Sequence, residues 1–92
     1  MHRPDRAYEA IHHALETLGL PTHVTWKDIV ARYRYLAAKA HPDAGGDSAK
    51  MAEINEAYEL LKKYVENYRF TFSEEEIARQ FPHEAHAKQY RF

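Results

Sequence analysis

The sequence predicts an all-α fold: an antiparallel hairpin of a second and third helix, flanked by a first and a fourth. Three observations carry this. Apolar residues recur at three- and four-residue spacing in three successive stretches. Each stretch is bounded by residues that start or stop helices, among them Pro21, Pro42 and Gly45-Gly46. The one stretch that reads as a strand, Tyr68–Phe72, has no partner strand, and a lone strand has no stability of its own.

The first helix is predicted from Pro4 to Leu18, with Tyr8, Ile11, Leu15 and Leu18 as its buried stripe. Proline suits a first turn, where its missing N–H costs nothing. Gly19 can take the left-handed cap, Leu20 can fold back, and Pro21 prevents continuation. The second helix opens at Thr25, with Asp28 as the reciprocal partner of a capping box and Val24 as a staple to Ile29. Ile29, Tyr33, Leu36 and Ala40 form its stripe. His41 precedes a proline and is pushed out of the helical region, so the helix ends near Ala40.

The third helix runs from Asp47 or Ser48 to about Asn67 or Tyr68, striped by Met51, Ile54, Tyr58, Leu61 and Val65. Matched stripes and a short loop favour antiparallel packing of helices two and three, with helix one across their open face. A second capping box, Ser73 with Glu76, and a staple from Phe72 to Ile77 open a fourth helix that ends near Gln80, before Pro82. Residues 1–70 are read as the folded domain and 71–92 as a C-terminal extension. The aromatic residues Phe70, Phe72, Phe81, Tyr90 and Phe92 are expected to cap the open end of the core, the alternative being an exposed docking patch. Trp26 is expected to cover an end of helix two.

Composition bounds the function. The chain has 92 residues, of which 45% are hydrophobic and 29% charged, an ordinary globular balance. No apolar run approaches the ~18–20 residues that cross a bilayer, so no membrane role is expected. Met1–Arg6 lacks the apolar core of a signal peptide, and a cytoplasmic location is expected. With no cysteine, disulfides, thiolate zinc sites and a cysteine nucleophile are excluded. The net charge of −1 excludes a general field for nucleic acid, so an electrostatic partner must read a local patch. Helix two supplies one: Lys27, Arg32, Arg34 and Lys39 against Asp28 alone. Part of this charge is expected to answer the acidic third helix, with its Glu53, Glu56, Glu59 and Glu66. The rest faces a partner.

The residues most suggestive of chemistry are His41-Pro42-Asp43, at the tip of the hairpin. Pro42 fixes its own φ and straightens His41, holding a donor and a carboxylate on a stiff exposed turn. Such a pair suits docking against another protein's buried polar groups. It does not suit catalysis, for which a convex loop offers no cleft, no orienting third group and no exclusion of water. The ordinary alternative is a turn in which Asp43 bonds a backbone amide. A helix-turn-helix reader is disfavoured, because the connection is long and the helix after it acidic. Seven histidines raise the question of a metal, with His12-His13 and His83/His86 as the nearest groupings. Neither supplies three or four convergent ligands, so no metal and no cofactor is expected. His12 is expected to be half-buried. P-loop, Rossmann and HExxH motifs are absent.

The setting of the tripeptide is specific. Before it stands Ile29-Val30-Ala31-Arg32-Tyr33-Arg34-Tyr35-Leu36-Ala37-Ala38-Lys39-Ala40. After it come Gly45-Gly46 and Met51-Ala52-Glu53-Ile54-Asn55-Glu56-Ala57-Tyr58-Glu59-Leu60-Leu61, and Leu18-Gly19-Leu20 closes the helix in front. From about Ala14 to Tyr64 this resembles the J-domain, the Hsp70 co-chaperone module of the DnaJ family. The resemblance implies a non-enzymatic protein that docks on ATP-bound Hsp70 and stimulates its ATP hydrolysis. It implies that Asp43 engages an Hsp70 arginine, that His41 contacts the linker region and that Pro42 holds both in pose. Arg34 and Lys39 match basic family positions, and Lys27 joins them as a candidate contact for Hsp70's acidic surface. The chain departs from the family at Val30, Ala31 and Tyr35, usually basic, and at Ala40, usually aromatic. Those departures motivate the alternative of a J-like interaction scaffold with weak or lost Hsp70 coupling. Neither the client nor the particular Hsp70 is readable.

Overall fold

Helix α1 spans Pro4–Leu18, α2 Trp26–Ala40, α3 Ser48–Glu66 and α4 Glu74–Gln80, with a 3₁₀ turn at Pro42–Ala44. The computed structural model describes residues 4–82, and the expectations for Tyr90, Phe92 and the His83/His86 pair lie outside them. Each boundary has a local chemical cause. After α1, Leu20 N–H donates to the Leu15 carbonyl at 2.8 Å and Gly19 N–H to Glu16 at 3.0 Å, with Gly19 at φ +69°. That is the paired C-terminal closure that Leu18-Gly19-Leu20 predicts. At α2 the capping box is complete. Asp28 N–H donates to Thr25 Oγ1 and Thr25 N–H donates to Asp28 Oδ2, both at 3.1 Å. The Thr25 backbone bond, then its hydroxyl, hold the Asp28 carboxyl below its ordinary value, with Lys27 adding to the effect.

At α4 only half of the expected box forms. Ser73 accepts from Glu76 N–H at 3.2 Å, but Glu76 turns its carboxylate forward to Arg79 and Gln80 instead of back to the cap.

The core is Ala14 and Leu18 from α1, Ile29 and Ala40 from α2, and Ile54, Ala57 and Leu61 from α3. Helix α1 packs mainly on α3 and touches α2 less. Alanines at the crossings let the backbones approach closely while Leu18 and Ile54 fill the space between, each large side chain contributing roughly 1.5–3 kcal/mol. One predicted core residue moves outward: Tyr8 is 63% exposed, tilted against the half-buried His12 with ring centroids 4.1 Å apart. The buried line of α1 runs through Ala14 instead, leaving Tyr8 at its edge.

The hairpin is held by a stack of rings. Trp26 and Tyr33 of α2 lie on either side of the α3 residue Tyr58, at 5.5 and 4.1 Å between centroids, and Tyr33 donates its hydroxyl to Asn55 at 2.8 Å. The ion pairs expected between a basic α2 and an acidic α3 are not formed among the described residues. The seam between the two helices is held by the aromatic stack and the Tyr33–Asn55 bond in their place.

The second correction concerns the C-terminal aromatics. Phe70 is 70% and Phe72 80% exposed, Phe81 is also exposed, and α4 contributes no buried residue. They do not cap the core. Leu60, Leu61 and Val65 of α3 meet Ile11 and Leu15 of α1 there, along an open apolar groove of about 640 Å³.

Candidate functional site

His41 organises the tip of the hairpin through three of its own atoms. Its N–H closes α2 on the Ala37 carbonyl at 3.0 Å, and its carbonyl accepts from Ala44 at 2.9 Å and Gly46 at 3.0 Å. Its Nδ1 accepts the Asp43 N–H at 3.1 Å. Pro42 follows with its fixed φ, and Gly45 N–H returns to the Pro42 carbonyl at 2.9 Å. The turn is thus closed by backbone groups and one ring nitrogen, without burial of any side chain.

This geometry reverses the ordinary turn alternative. The Asp43 carboxylate bonds no backbone amide among the described residues; the His41 ring performs that role, and the amide capped is that of Asp43. Because Nδ1 accepts, the ring hydrogen is assigned to Nε2. The Asp43 carboxylate lies 3.8 Å from Nδ1, too far for a hydrogen bond, and its side chain is 93% exposed against 54% for His41. The tip therefore presents a fixed N–H donor and an uncommitted anion to solvent. Asp43 is held through its backbone, leaving its carboxylate in solvent.

The glycine pair after the tripeptide is a requirement that composition alone does not reveal. Gly45 sits at φ +83°, where a side chain is strained. Gly46 is constrained differently: a Cβ there would stand 2.2 Å from the Ala40 carbonyl oxygen. The returning strand of the loop passes directly over the last turn of α2.

The cations of α2 do not form one face. At about 100° per residue, Arg32, Tyr35 and Lys39 share one row, and Lys27 and Arg34 share another roughly 140° away. Lys39 leans on Tyr35, its Nζ 3.3 Å from the hydroxyl and 5.1 Å from the ring centroid, and Arg32 lies 5.3 Å from the same ring. Arg32 is committed inward as well, donating through Nε to the Leu18 carbonyl at 2.8 Å and so tying the end of α1 to α2. Lys39 is beside the tripeptide. Arg34 stands about two turns back, and Lys27 about 20 Å along the axis from His41. All three are exposed. Sequence reasoning missed the inward role of Arg32. The sole signal for it was the need of a closed α1 end for a carbonyl partner.

Among the described residues no three histidine, aspartate or glutamate side chains converge as a metal site, and no helix is long and apolar enough to cross a membrane.

Comparison with known proteins gives one consistent result. A family model described as the DnaJ domain matches residues 13–70. DnaJ protein homolog 2 of Allium porrum is 48% identical over 46 residues, covering 50% of this chain and 11% of the plant protein. A tetratricopeptide repeat and J domain-containing co-chaperone of Cryptococcus neoformans var. grubii is 46% identical over 46 residues, 50% of this chain and 9% of the fungal protein. The small t antigen of Budgerigar fledgling disease virus is 46% identical over 48 residues, 52% of this chain and 33% of the viral protein. The chain spans about a tenth of the length of the plant and fungal relatives. No solved structure matches.

Proposed function

The chain belongs to the DnaJ domain family, and from that premise we propose that it is a co-chaperone that docks on ATP-bound Hsp70 and stimulates its hydrolysis of ATP. The observation that carries the proposal is the exposed His41-Pro42-Asp43 turn, fixed by its own backbone bonds and carrying a free carboxylate.

The chain does not itself catalyse; it supplies charge and hydrogen bonds to a partner's machinery. Asp43 offers its carboxylate to an Hsp70 arginine, and two charged groups meeting in a partly dehydrated contact form a strong, directional pair. His41 offers Nε2–H to the region of the Hsp70 linker. Pro42 keeps both in one pose, so little ordering remains to be done on docking. Lys39, Arg34 and Lys27 draw the acidic surface of Hsp70 toward the turn, an effect that acts mainly on the association rate.

Single-turnover ATP hydrolysis by Hsp70 tests this, with wild type against Asp43→Asn. The variant is expected to lose stimulation while its stability changes by no more than ~0.5 kcal/mol, as befits an exposed side chain outside the core. Equal stimulation by the two proteins would reject the mechanism.

A second reading, a J-like scaffold with weak or lost Hsp70 coupling, is favoured by one feature: α2 has few outward charges. Val30, Ala31 and Tyr35 are uncharged, and Arg32 is engaged by Leu18. Replacing Val30 with Lys and Tyr35 with Arg separates the readings. A silent wild type that gains strong stimulation supports the scaffold; a wild type that is already fully active dismisses it.

A further inference from the structure

We propose that Tyr35 is a positioning residue for docking, gathering Arg32 and Lys39 into one prearranged cationic patch that receives carboxylates of the Hsp70 surface beside the Asp43 contact. The proposal rests on the Hsp70 reading above. It begins with a spacing. Arg32 lies three residues before Tyr35 and Lys39 four after it, so both stand one turn away on the same side of α2. Both cations reach the ring. The Lys39 ammonium lies 5.1 Å from the ring centre and 3.3 Å from the hydroxyl, and the Arg32 guanidinium carbon lies 5.3 Å from the same centre. An aromatic ring attracts a cation at such distances. Tyr35 is 53% exposed, and Lys39 is exposed beside it, so a partner can reach the group.

Arg32 is fixed from its other side. Its Nε donates to the Leu18 carbonyl, and no other hydrogen bond of the guanidinium forms among the described residues. The group also lies against Gly19, where a β-carbon would stand 3.1 Å from a terminal guanidinium nitrogen. Arg32 is therefore wedged between the end of α1 and the Tyr35 ring. Asp28, the acid of the same row, holds the Thr25 amide in the capping box. Neither Arg32 nor Lys39 has an acidic partner among the described residues.

Docking gains in two ways from this arrangement. A lysine in water samples many rotamers, and ordering them on binding opposes association. Held on the ring, Lys39 has less freedom left to lose. Two like charges drawn to one ring also make a stronger local field than either alone, and no acid cancels it. The partner surface that fits is a strip of carboxylates. Lys39 is two residues from His41, and Tyr35 is about 9 Å from it along the axis, so carboxylates bound here lie alongside the turn. Arg34 and Lys27, in the other row, contact no ring among the described residues. The patch is thus one-sided, and it selects the side of α2 on which Hsp70 is met.

Titrating Hsp70 ATPase stimulation with the full chain tests the proposal, with Tyr35→Leu, Tyr35→Phe and Lys39→Gln beside wild type. Tyr35→Leu should raise the half-saturating concentration roughly two- to fivefold, the factor expected of an exposed cation–ring contact. The rate at saturation should stay at the wild-type value, and so should the helical melt. Tyr35→Phe keeps the ring and should fall between the two. Combined with Lys39→Gln, Tyr35→Leu should cost less than the product of the single losses, because the two residues act together. Combined with Arg34→Gln, the losses should multiply. In the free chain, nuclear Overhauser contacts should join the Lys39 ε-methylene to the Tyr35 ring. Their absence overturns the proposal. So does a Tyr35→Leu curve that superimposes on wild type, or a loss that multiplies with that of Lys39→Gln. Failure of the Hsp70 reading looks different, since wild type and Asp43→Asn would then stimulate equally; that result would remove the docking role of Tyr35 as well.

Discussion

The two ends of the α2–α3 hairpin solve opposite problems. At the tip every side chain is exposed, yet the backbone is closed, with Ala44, Gly45 and Gly46 donating back into the turn and His41 Nδ1 holding the amide of Asp43. At the far end the side chains are large and aromatic, yet the backbone from Arg69 to Phe72 is bonded to nothing among the described residues. Rigidity at the tip therefore comes from hydrogen-bond closure and not from burial. Apolar character at the far end does not by itself produce a core. A surface can be polar and rigid or apolar and open, and this chain has one of each.

The contrast can be broken at four levels. The largest effect is expected from Leu18→Ala, which empties a fully buried site where α1 meets α3. A loss of about 2–5 kcal/mol in a denaturant titration is expected, and a loss under 1 kcal/mol would mean that α1 is not needed to support the hairpin. Next is Gly46→Ala, whose methyl group would collide with the Ala40 carbonyl. Crowding of that kind costs about 1–3 kcal/mol. The amide spectrum should change at residues 40–47 and hardly at all at the far end.

Thr25→Ala removes the α2 cap and should cost about 0.5–2 kcal/mol. The same box sets an acid response. Folding depresses the Asp28 carboxyl below its ordinary value of 3.8, so its contribution is present above that pH and is lost as pH falls through the lower folded value. Thermal melts from pH 6 downward should show this component in wild type and not in Asp28→Asn. The smallest effect belongs to Phe72→Ala, within about 0.5 kcal/mol, because the ring is mostly in solvent. A loss above 2 kcal/mol would show that the far end is packed after all and would erase the contrast.

Much of this was legible beforehand. Caps and stops fixed the helices to within a residue or two, because Thr25, Asp47, Ser73, Gly19 and Pro42 each do one local job. The exposed tripeptide followed from the same punctuation. What was not legible depended on three dimensions. Ala14 and Ala57 are buried where Tyr8 is not, since a reading weighted by size overlooks small residues at helix crossings. Ala57 does lie three residues after Ile54 and four before Leu61, so its position in the stripe was available. The split of the α2 cations into two rows follows from helical geometry, but the commitment of Arg32 to Leu18 depends on how α1 ends. The exposure of Phe70 and Phe72 was only the alternative to capping the core, because aromatic composition indicates the desire to be buried and not the presence of anything to be buried against.

The doublet Gly45-Gly46 carries a lesson for mutagenesis. Two identical letters in a row look like one flexible hinge, and a designer would treat them alike. They are not alike. Position 45 has room around it and a rare backbone angle, so asparagine, which tolerates the left-handed region, is a plausible tenant. Position 46 lacks space for any β-carbon, and no substitution can be accommodated without prising the loop off the helix. Neighbouring sites thus obey different laws, one of angle and one of volume, and a saturation screen should return a permissive column beside a forbidding one.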